Sequence, residues 1–553
     1  MDDNKFLSLI KNSICSNWEL PALSDYKAEP FYYKDFARKI AEIHLMFDAM
    51  GVKKGDKVAL CGRNSASWAI SFFATVSYGA VIVTILHDFD GHSIQNIVNH
   101  SDSKVLFVND QVWAKVNPAD MPNVETIFTM DDDFAVEKAS SAKLIETRED
   151  MSRIFKEKYP NGFTPKDVVF HDEKADELAL INYTSGTTSS PKGVMIPFRS
   201  LWSNTKVAID LFPYINPGDG MVCILPMAHM YGLAFEILFA ISMGCHIHFL
   251  SKVPSPQVIL EMLSKVNPPI VLSVPLIMEK IIQTKVFPEL KKQPAKTLLH
   301  IPFIRKRIYA KVTKKLLPLF GNKLIEVAVG GAALNKEVGN FLSEIKFPYT
   351  VGYGMTECGP LISYASSKVY KPESCGKPVD RMICKVDSSN PEKEIGELIV
   401  KGANVMLGYY KNPELTESVL DKDGWLKTGD LVTMDKDEFV FIKGRSKTMV
   451  LGPSGQNIYP EEIEDLLNNS QLISEVLVIE EAGKLIALVY PDKDYIEREG
   501  IKRPDLEKLL AEDIKFVNKK LPRFSQISNC RIQDQEFEKT PKRSIKRFLY
   551  QKH

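Results

Sequence analysis

The sequence predicts an α/β fold: a large N-terminal α/β domain built of several subdomains, followed by a small α+β C-terminal domain. Three observations predict it. Amphipathic helical stretches alternate with short apolar strand runs through the first part of the chain. The length of 553 residues allows about three or four structural units. After Gly444-Arg445 the pattern restarts, leaving about 110 residues, enough for a compact unit of its own.

In chain order, residues 36–50 carry Ile40, Ile43, Leu45, Met46 and Phe47 at helical spacing, and Gly51-Val-Lys-Lys-Gly55 ends that helix. Lys57-Val-Ala-Leu-Cys61 reads as a short buried strand. Residues 64–87 contain no charge, and Gly79 divides them into a buried helix and a β-branched strand, Val81-Ile-Val-Thr-Ile-Leu86. Lys104-Val-Leu-Phe-Val108 continues the alternation, which argues for mostly parallel strands. Leu178-Ala-Leu-Ile-Asn-Tyr183 is a strand entering a turn of small residues, and Pro269-Ile-Val-Leu-Ser-Val274 and Leu324-Ile-Glu-Val-Ala-Val329 are further buried strands. Glu397-Leu-Ile-Val-Lys-Gly402 and Glu438-Phe-Val-Phe-Ile442 look antiparallel and hairpin-like. Beyond Arg445, residues 460–468 and 504–521 read as helices, and Val476-Leu-Val-Ile479 and Leu485-Ile-Ala-Leu-Val489 as strands.

Composition removes several classes of function. Lys+Arg and Asp+Glu both number 70, and this zero net charge argues against a general nucleic-acid binder. Apolar residues at 44% and aromatics at 10% are those of a globular protein. The eight cysteines include no pair at CxxC spacing, so a reducing, cytoplasmic setting fits better than a disulfide framework. The first residues, Met1-Asp-Asp-Asn-Lys5, show no basic stretch leading into an apolar one, as a secretory signal would. Residues 64–87 and 221–250 imitate membrane spans, but Gly79 breaks the first and Glu236 sits inside the second, where an acid makes a span costly. His246 and His248 alternate with Ile247 and suggest one strand face, with no acid or cysteine completing a metal site.

One segment departs from the neutral average. Between Glu289 and Glu326 there is no acid, yet Lys291, Lys292, Lys296, Arg305, Lys306, Arg307, Lys311, Lys314, Lys315 and Lys323 fall there. Ile304, Ile308, Val312, Leu316 and Phe320 recur every four residues, which predicts one helix face, ended or kinked at Pro318. The plain reading is a docked helix with a solvated cationic face. The sharper one is peripheral contact of residues 291–323 with an anionic membrane, at its cytoplasmic face, or with acidic cargo.

The strongest motif is Tyr183-Thr-Ser-Gly-Thr-Thr-Ser-Ser-Pro-Lys-Gly-Val-Met195. Thr184, Ser185, Gly186, Thr187 and Thr188 are small or hydroxylated, so backbone N–H groups can approach a polyphosphate and hydroxyls add donors, while Lys192 supplies a cation. A Walker A loop would need Gly before the lysine and Ser or Thr after it; here Pro191 and Gly193 flank it. In Gly352-Tyr353-Gly354-Met355-Thr356-Glu357 the glycines permit a tight turn and Tyr353 offers a flat face to a purine. Thr356 can bond a phosphate oxygen, and Glu357 is a hard oxygen ligand suited to Mg2+. Asp430, read in a Thr-Gly-Asp turn, can accept two ribose hydroxyls, and Arg445, across a hairpin from it, can bond ribose or α-phosphate. His229, between Met227 and Tyr231, reads by itself as a packed core residue.

The Tyr183–Met195 string resembles the phosphate loop of the adenylate-forming superfamily, which includes acyl-CoA synthetases, adenylation domains and luciferases. Further motifs agree in order: Met227-Ala-His-Met-Tyr-Gly232 is similar to the acyl-site motif, Gly330-Gly-Ala-Ala-Leu334 to the adenine-edge turn, Val351-Gly-Tyr-Gly-Met-Thr-Glu357 to the central motif and Gly424-Trp-Leu-Lys-Thr-Gly-Asp430 to the ribose motif. Gly444-Arg-Ser-Lys447 and Gly455-Gln-Asn-Ile-Tyr-Pro-Glu-Glu-Ile-Glu464 resemble the hinge and the start of the mobile domain. The resemblance implies the adenylate-forming fold, with residues 1–443 binding AMP and the acyl group and residues 444–553 forming the mobile domain, hinged near Lys447. It implies an ATP-dependent acid–thiol ligase. Gly331, Ala332, Gly352, Tyr353 and Gly354 would hold the adenine, Thr184 would help Glu357 hold Mg2+, and CoA would be the co-substrate. For His229 it implies, in place of a packed core residue, a position at the acyl-carboxylate end of the pocket, as a gate or orienter. The pattern is closer to long-chain fatty-acid ligases than to acetate ligases, with medium or long chains favoured. Acyl transfer to an acyl-carrier protein, and a catalytically impaired acyl- or nucleotide-binding homologue, stay open.

One departure bears on catalysis. Many relatives carry a lysine near the C-terminus that reaches the reacting carboxylate and α-phosphate. In Phe537-Glu-Lys-Thr-Pro-Lys-Arg-Ser-Ile-Lys-Arg-Phe548, Ser544 takes that place, and Lys542 and Lys546 flank it as substitutes. A milder departure is Ser189, where many relatives have glycine.

Overall fold

The computed structural model describes residues 4–131, 133–184, 192–250, 255–451, 457–481, 483–540 and 545–551. The N-terminal part is organised on an eight-stranded sheet in the order Gly408–Tyr409, Lys192–Pro197, Leu178–Thr184, Val81–Ile85, Lys57–Cys61, Ser103–Val108, Thr126–Thr129, Ala135–Lys138. The five inner strands run parallel and the outer ones antiparallel. The parallel centre is why its strands are continuous apolar runs: both faces are covered. The uncharged run 64–87 is the helix Ala66–Tyr78 and the strand Val81–Ile85, as predicted, with Gly79 between them at φ 91°. Trp68, Phe72 and Phe73 on that helix are wholly buried, each worth about 1.5–3 kcal/mol.

A second parallel sheet, Ile270–Ser273, Glu326–Val329 and Tyr349–Val351, aims the C-terminal ends of its strands at one place, where Val274, Gly330 and Gly352 follow. Crevices at such strand ends are where open α/β sheets take ligands. An antiparallel sheet follows in the order Met382–Val386, Gly396–Gly402, Leu426–Met434, Val440–Arg445. It corrects one expectation. The runs 397–402 and 438–442 are not hairpin partners; the strand Leu426–Met434 lies between them and pairs antiparallel with both.

Beyond Arg445, the helix Pro460–Leu467 packs on the hairpin Ile473–Glu481 and Lys484–Pro491, with Ile527–Ile532 parallel to the latter and the helix Arg503–Asn518 alongside. Ile463, Leu467, Val478 and Leu510 belong to a hydrophobic cluster separate from that of the large sheet. The basic segment contains the helix Pro302–Leu316, which tightens into a single turn, Leu317–Phe320, around Pro318. Leu316 and Phe320 are buried; Ile304, Ile308 and Val312 are half-buried. Residues 221–250 fold into the end of the strand Gly220–Cys223, a π-helical turn Leu233–Leu238 with Glu236 inside it, and the strand His246–Phe249. Among the described residues no helix is long and apolar enough to cross a membrane.

Candidate active site

A cavity of about 1130 Å³ opens where the strand ends, the antiparallel sheet and the C-terminal part meet. Thr184, Lys192, His229, Gly331, Ala332, Gly352, Tyr353, Gly354, Thr356, Glu357, Asp430, Arg445, Lys447 and Lys546 all line it. The sequence expectations on Ser185, Gly186, Thr187, Thr188, Ser189, Lys542 and Ser544 fall outside the described residues.

On one side, Thr184 closes the strand Leu178–Thr184 and Lys192 opens Lys192–Pro197, and the two are cross-strand partners. The buried Asn182 fixes this strand to the segment before His229: its amide donates to Thr84 Oγ1 and to the Ala228 carbonyl, both at 2.7 Å. Glu357 is reached through a residue the sequence did not single out. The Tyr409 hydroxyl donates to Glu357 Oε1 at 2.8 Å, and the Lys192 ammonium lies 5.6 Å from the centre of the same ring. The strand Gly408–Tyr409 pairs with Lys192–Pro197, and the Met406 N–H donates to the Glu357 carbonyl at 2.8 Å. One short segment thereby joins the lysine to the acid. Burial, together with the nearby Lys447 ammonium, holds Lys192 below the ordinary lysine range, with Glu357 opposing. Glu357 and Thr184 offer hard oxygens to this cavity, a set that suits Mg2+ completed by phosphate and water oxygens.

On the opposite wall, Gly331 sits at φ 88°, a conformation side chains rarely adopt. Gly354 is required for a different reason: a Cβ there would lie 2.2 Å from the Pro360 carbonyl oxygen. Asp430 is buried, accepts from the Tyr353 hydroxyl at 2.6 Å and pairs with Arg445 Nε at 2.9 Å. Asp430 and Arg445 are cross-strand partners, so the hairpin relation between them is as read from sequence. The turn is not: Asp430 lies within the strand Leu426–Met434, beside an irregularity at Leu431 and Val432, with Gly429 at φ 73°. Burial pushes its carboxyl above the ordinary aspartate range, against the pull of Arg445 and Tyr353.

At the apolar end, Leu211, Phe212, Phe235 and Leu272 form the wall. His229 is half-buried and accepts through Nδ1 from the Tyr231 N–H at 3.3 Å, capping the helical turn Met230–Gly232. The Tyr231 hydroxyl donates to the Ala328 carbonyl at 3.0 Å, joining this turn to the second parallel sheet. Behind it Glu236 is fully buried, and its carboxylate accepts from the Ile224 and Leu225 N–H groups at 3.2 and 2.9 Å. Burial pushes Glu236 up to about 8. His246 and His248 lie together on their strand, ring centres 4.0 Å apart, and His246 bonds Ser24 Oγ at 2.7 Å.

The C-terminal part supplies the remaining wall through Thr540, Ile545, Lys546, Arg547 and Phe548. Lys539 and Ile545 form an antiparallel bridge on either side of residues 541–544. Lys546 keeps a long contact, 3.4 Å, with Glu538, whereas Arg547 is engaged by the buried Glu464. Asn335 donates to Asn469 Oδ1 at 2.9 Å, across from the large part to the small one.

The AMP-binding enzyme family model matches residues 17–410, and the model for the AMP-binding enzyme C-terminal domain matches residues 447–553. Among curated proteins, a long-chain-fatty-acid–CoA ligase of Rattus norvegicus is 28% identical over 511 residues, covering 88% of this chain and 75% of its own. One of Salmonella typhimurium is 26% identical over 486 residues, covering 83% and 81%. Among solved structures, the o-succinylbenzoate–CoA synthetase of Bacillus subtilis in complex with ATP and magnesium aligns over 98% of each chain, with a TM-score of 0.75 at 19% identity. An anthranilate–CoA ligase in complex with anthranoyl-AMP aligns over 99% of this chain and 96% of its own, with a TM-score of 0.76 at 18% identity. The first family match alone takes in more than half of the sequence and most of the cavity's residues, and the chain belongs to the AMP-binding enzymes.

Proposed function

We propose that the protein is an ATP-dependent acid–CoA ligase that activates a fatty acid, of medium or long chain, through an acyl-adenylate. The single observation that carries the proposal is the convergence of Thr184, Lys192, Glu357, Asp430 and Arg445 on a cavity that also has an apolar wall. In this reading Asp430 and Arg445 receive the ribose, and the turn at Gly331 and the extended segment Gly352–Gly354 pass along the adenine; the tight turn expected at Gly352–Gly354 is instead the start of a short strand, Tyr353–Gly354, paired with Leu361–Tyr364. Thr184, residues 185–188 and Lys192 hold the triphosphate. Glu357 and Thr184 would hold Mg2+, which supplies charge neutralisation on the phosphates. His229 orients the acid carboxylate at the junction of the polar and apolar ends.

The carboxylate oxygen bonds to the α-phosphorus, the bond to the bridging oxygen breaks, and pyrophosphate leaves. The thiolate of CoA then bonds to the acyl carbon and AMP leaves with the former carboxylate oxygen. Phosphoryl transfer depends on alignment and charge, which the lysines and the oxygen donors supply. Lys546 is the proposed C-terminal cation: it lines the cavity, and its ion pair with Glu538 is a long one at 3.4 Å. A hinge near Lys447, between a unit ending at residue 443 and one of residues 444–553, would let one cavity serve both half-reactions. The fatty-acid assignment is supported by the curated relatives; the aligned solved structures, all at low identity, bear on the fold alone. The test is acid-dependent pyrophosphate release across a panel of acids, followed by mass spectrometry of the thioester formed with CoA or with acyl-carrier protein. Fatty-acid-dependent release and an acyl-CoA product are expected. An acyl-carrier product in place of acyl-CoA would replace the acceptor, and tight ATP binding without release for any acid would make the protein a binder.

A further inference from the structure

We propose that the outward face of the helix Pro302–Leu316, with the residue before it, is a docking surface for an anionic lipid membrane. The helix docks through Leu316, which is buried, and through Ile304, Ile308 and Val312, which are half-buried. At about 100° per residue, the opposite arc collects Phe303, Lys306, Arg307, Lys311 and Lys314, and all five are exposed. Phe303 is 64% exposed and Ile301, one turn-start away, 46%, high for residues of their size. The Arg307 guanidinium lies 4.2 Å from the centre of the Phe303 ring, so cation and aromatic form one contiguous patch.

The charge on this face is uncompensated. Among the described residues, no carboxylate lies within ion-pair distance of Arg305, Lys306, Arg307, Lys311, Lys314 or Lys315. The segment's ion pairs are confined to its ends, Lys292 with Glu289 and Lys323 with Asp219 at 3.7 Å. Some exposed lysines elsewhere do hold a carboxylate, as Lys54 does Glu177 and Lys104 does Asp56, at 3.0 and 2.9 Å. On the docked side, Glu344 interacts with Tyr309. A protein of zero net charge has therefore gathered unpaired cations around exposed apolar side chains. Cations alone would suit any polyanion. Cations flanking an exposed Phe and Ile suit the boundary between headgroups and acyl chains, where both find partners. The inference does not depend on the acyl substrate.

The test uses the whole protein and vesicles of phosphatidylcholine alone or mixed with phosphatidylglycerol, in co-sedimentation at low and high salt. Each basic residue at an anionic surface changes partitioning about fivefold, so Lys311→Glu with Lys314→Glu should weaken binding to anionic vesicles at least about 25-fold at low salt. Phe303→Ser should weaken it several-fold at either salt concentration. Both variants touch only exposed positions, and pyrophosphate release with a dissolved acid should be unchanged. Equal binding to neutral and anionic vesicles, binding indifferent to the charge reversals, or no binding at all would overturn the proposal. Retention of single-stranded RNA that the charge reversals abolish, without vesicle binding, would assign the face to nucleic acid.

Discussion

Glu236 gives the wall behind His229 a pH dependence that can be worked out in advance. Its carboxyl is fully buried, receives two backbone N–H groups, and is pushed from an ordinary 4.5 to about 8. The unfolded chain releases this proton near 4.5, so between 4.5 and 8 the native state holds one proton more. Its contribution is fully present below 4.5 and is lost as pH rises to about 8. Each pH unit in that window costs the native state about 1.4 kcal/mol, so from pH ~6 to ~8 the loss is about 2 kcal/mol. Glu236→Gln keeps an acceptor for the backbone donors and removes the titration. Urea unfolding of both proteins at the two pH values reads the difference, since other titrating groups cancel. The wild type should lose about 2 kcal/mol more than the variant over this window. Equal losses would mean that Glu236 is ionised throughout and that the two N–H donors outweigh its burial.

The site makes further predictions. Tyr409→Phe removes the hydroxyl on Glu357, a hydrogen bond to a charged group worth about 1.5 kcal/mol, and should raise the Mg2+ concentration for half-maximal activity and for ATP binding by calorimetry about tenfold. Lys546→Ala should slow acyl-AMP formation by about 10²–10³ while leaving CoA transfer from preformed acyl-AMP nearly intact, read by pyrophosphate release and single-turnover assay. Retention of full adenylation would return the role to Lys542. Asp430→Asn should raise the KM for ATP about tenfold or more and leave Arg445 without its carboxylate partner. A compensating Arg445→Gln should recover stability but not ATP affinity.

The sequence was most legible where local chemistry dictates structure. Lys57–Cys61 carries the unbroken apolar run Val58–Cys61 closed by turn residues, and the strand has the bounds the sequence predicts. Gly79 separated a helix from a strand because only glycine sits easily at φ 91° there. The strand Leu426–Met434 is hard to read from sequence because Lys427, Gly429 and Asp430 give it weak β-propensity, and pairing on both edges holds it instead. The same weak local propensity makes Asp430, a strand residue, read as part of a turn. Tyr409 was invisible for another reason: its partner is 52 residues away, and nothing local marks a tyrosine that will meet a carboxylate through the fold. Likewise the periodicity of 304–320 gave the docked face of its helix, but only the fold shows that the opposite face is left without acidic partners.

The most direct measurement follows one oxygen atom. A fatty acid labelled with heavy oxygen in its carboxylate is incubated with the protein, ATP, Mg2+ and CoA, and the nucleotide product is weighed by mass spectrometry. If the cavity aligns the carboxylate on the α-phosphorus, AMP gains one labelled oxygen per acyl-CoA formed. Label in pyrophosphate or phosphate, or unlabelled AMP beside newly made thioester, would contradict in-line attack at that phosphorus.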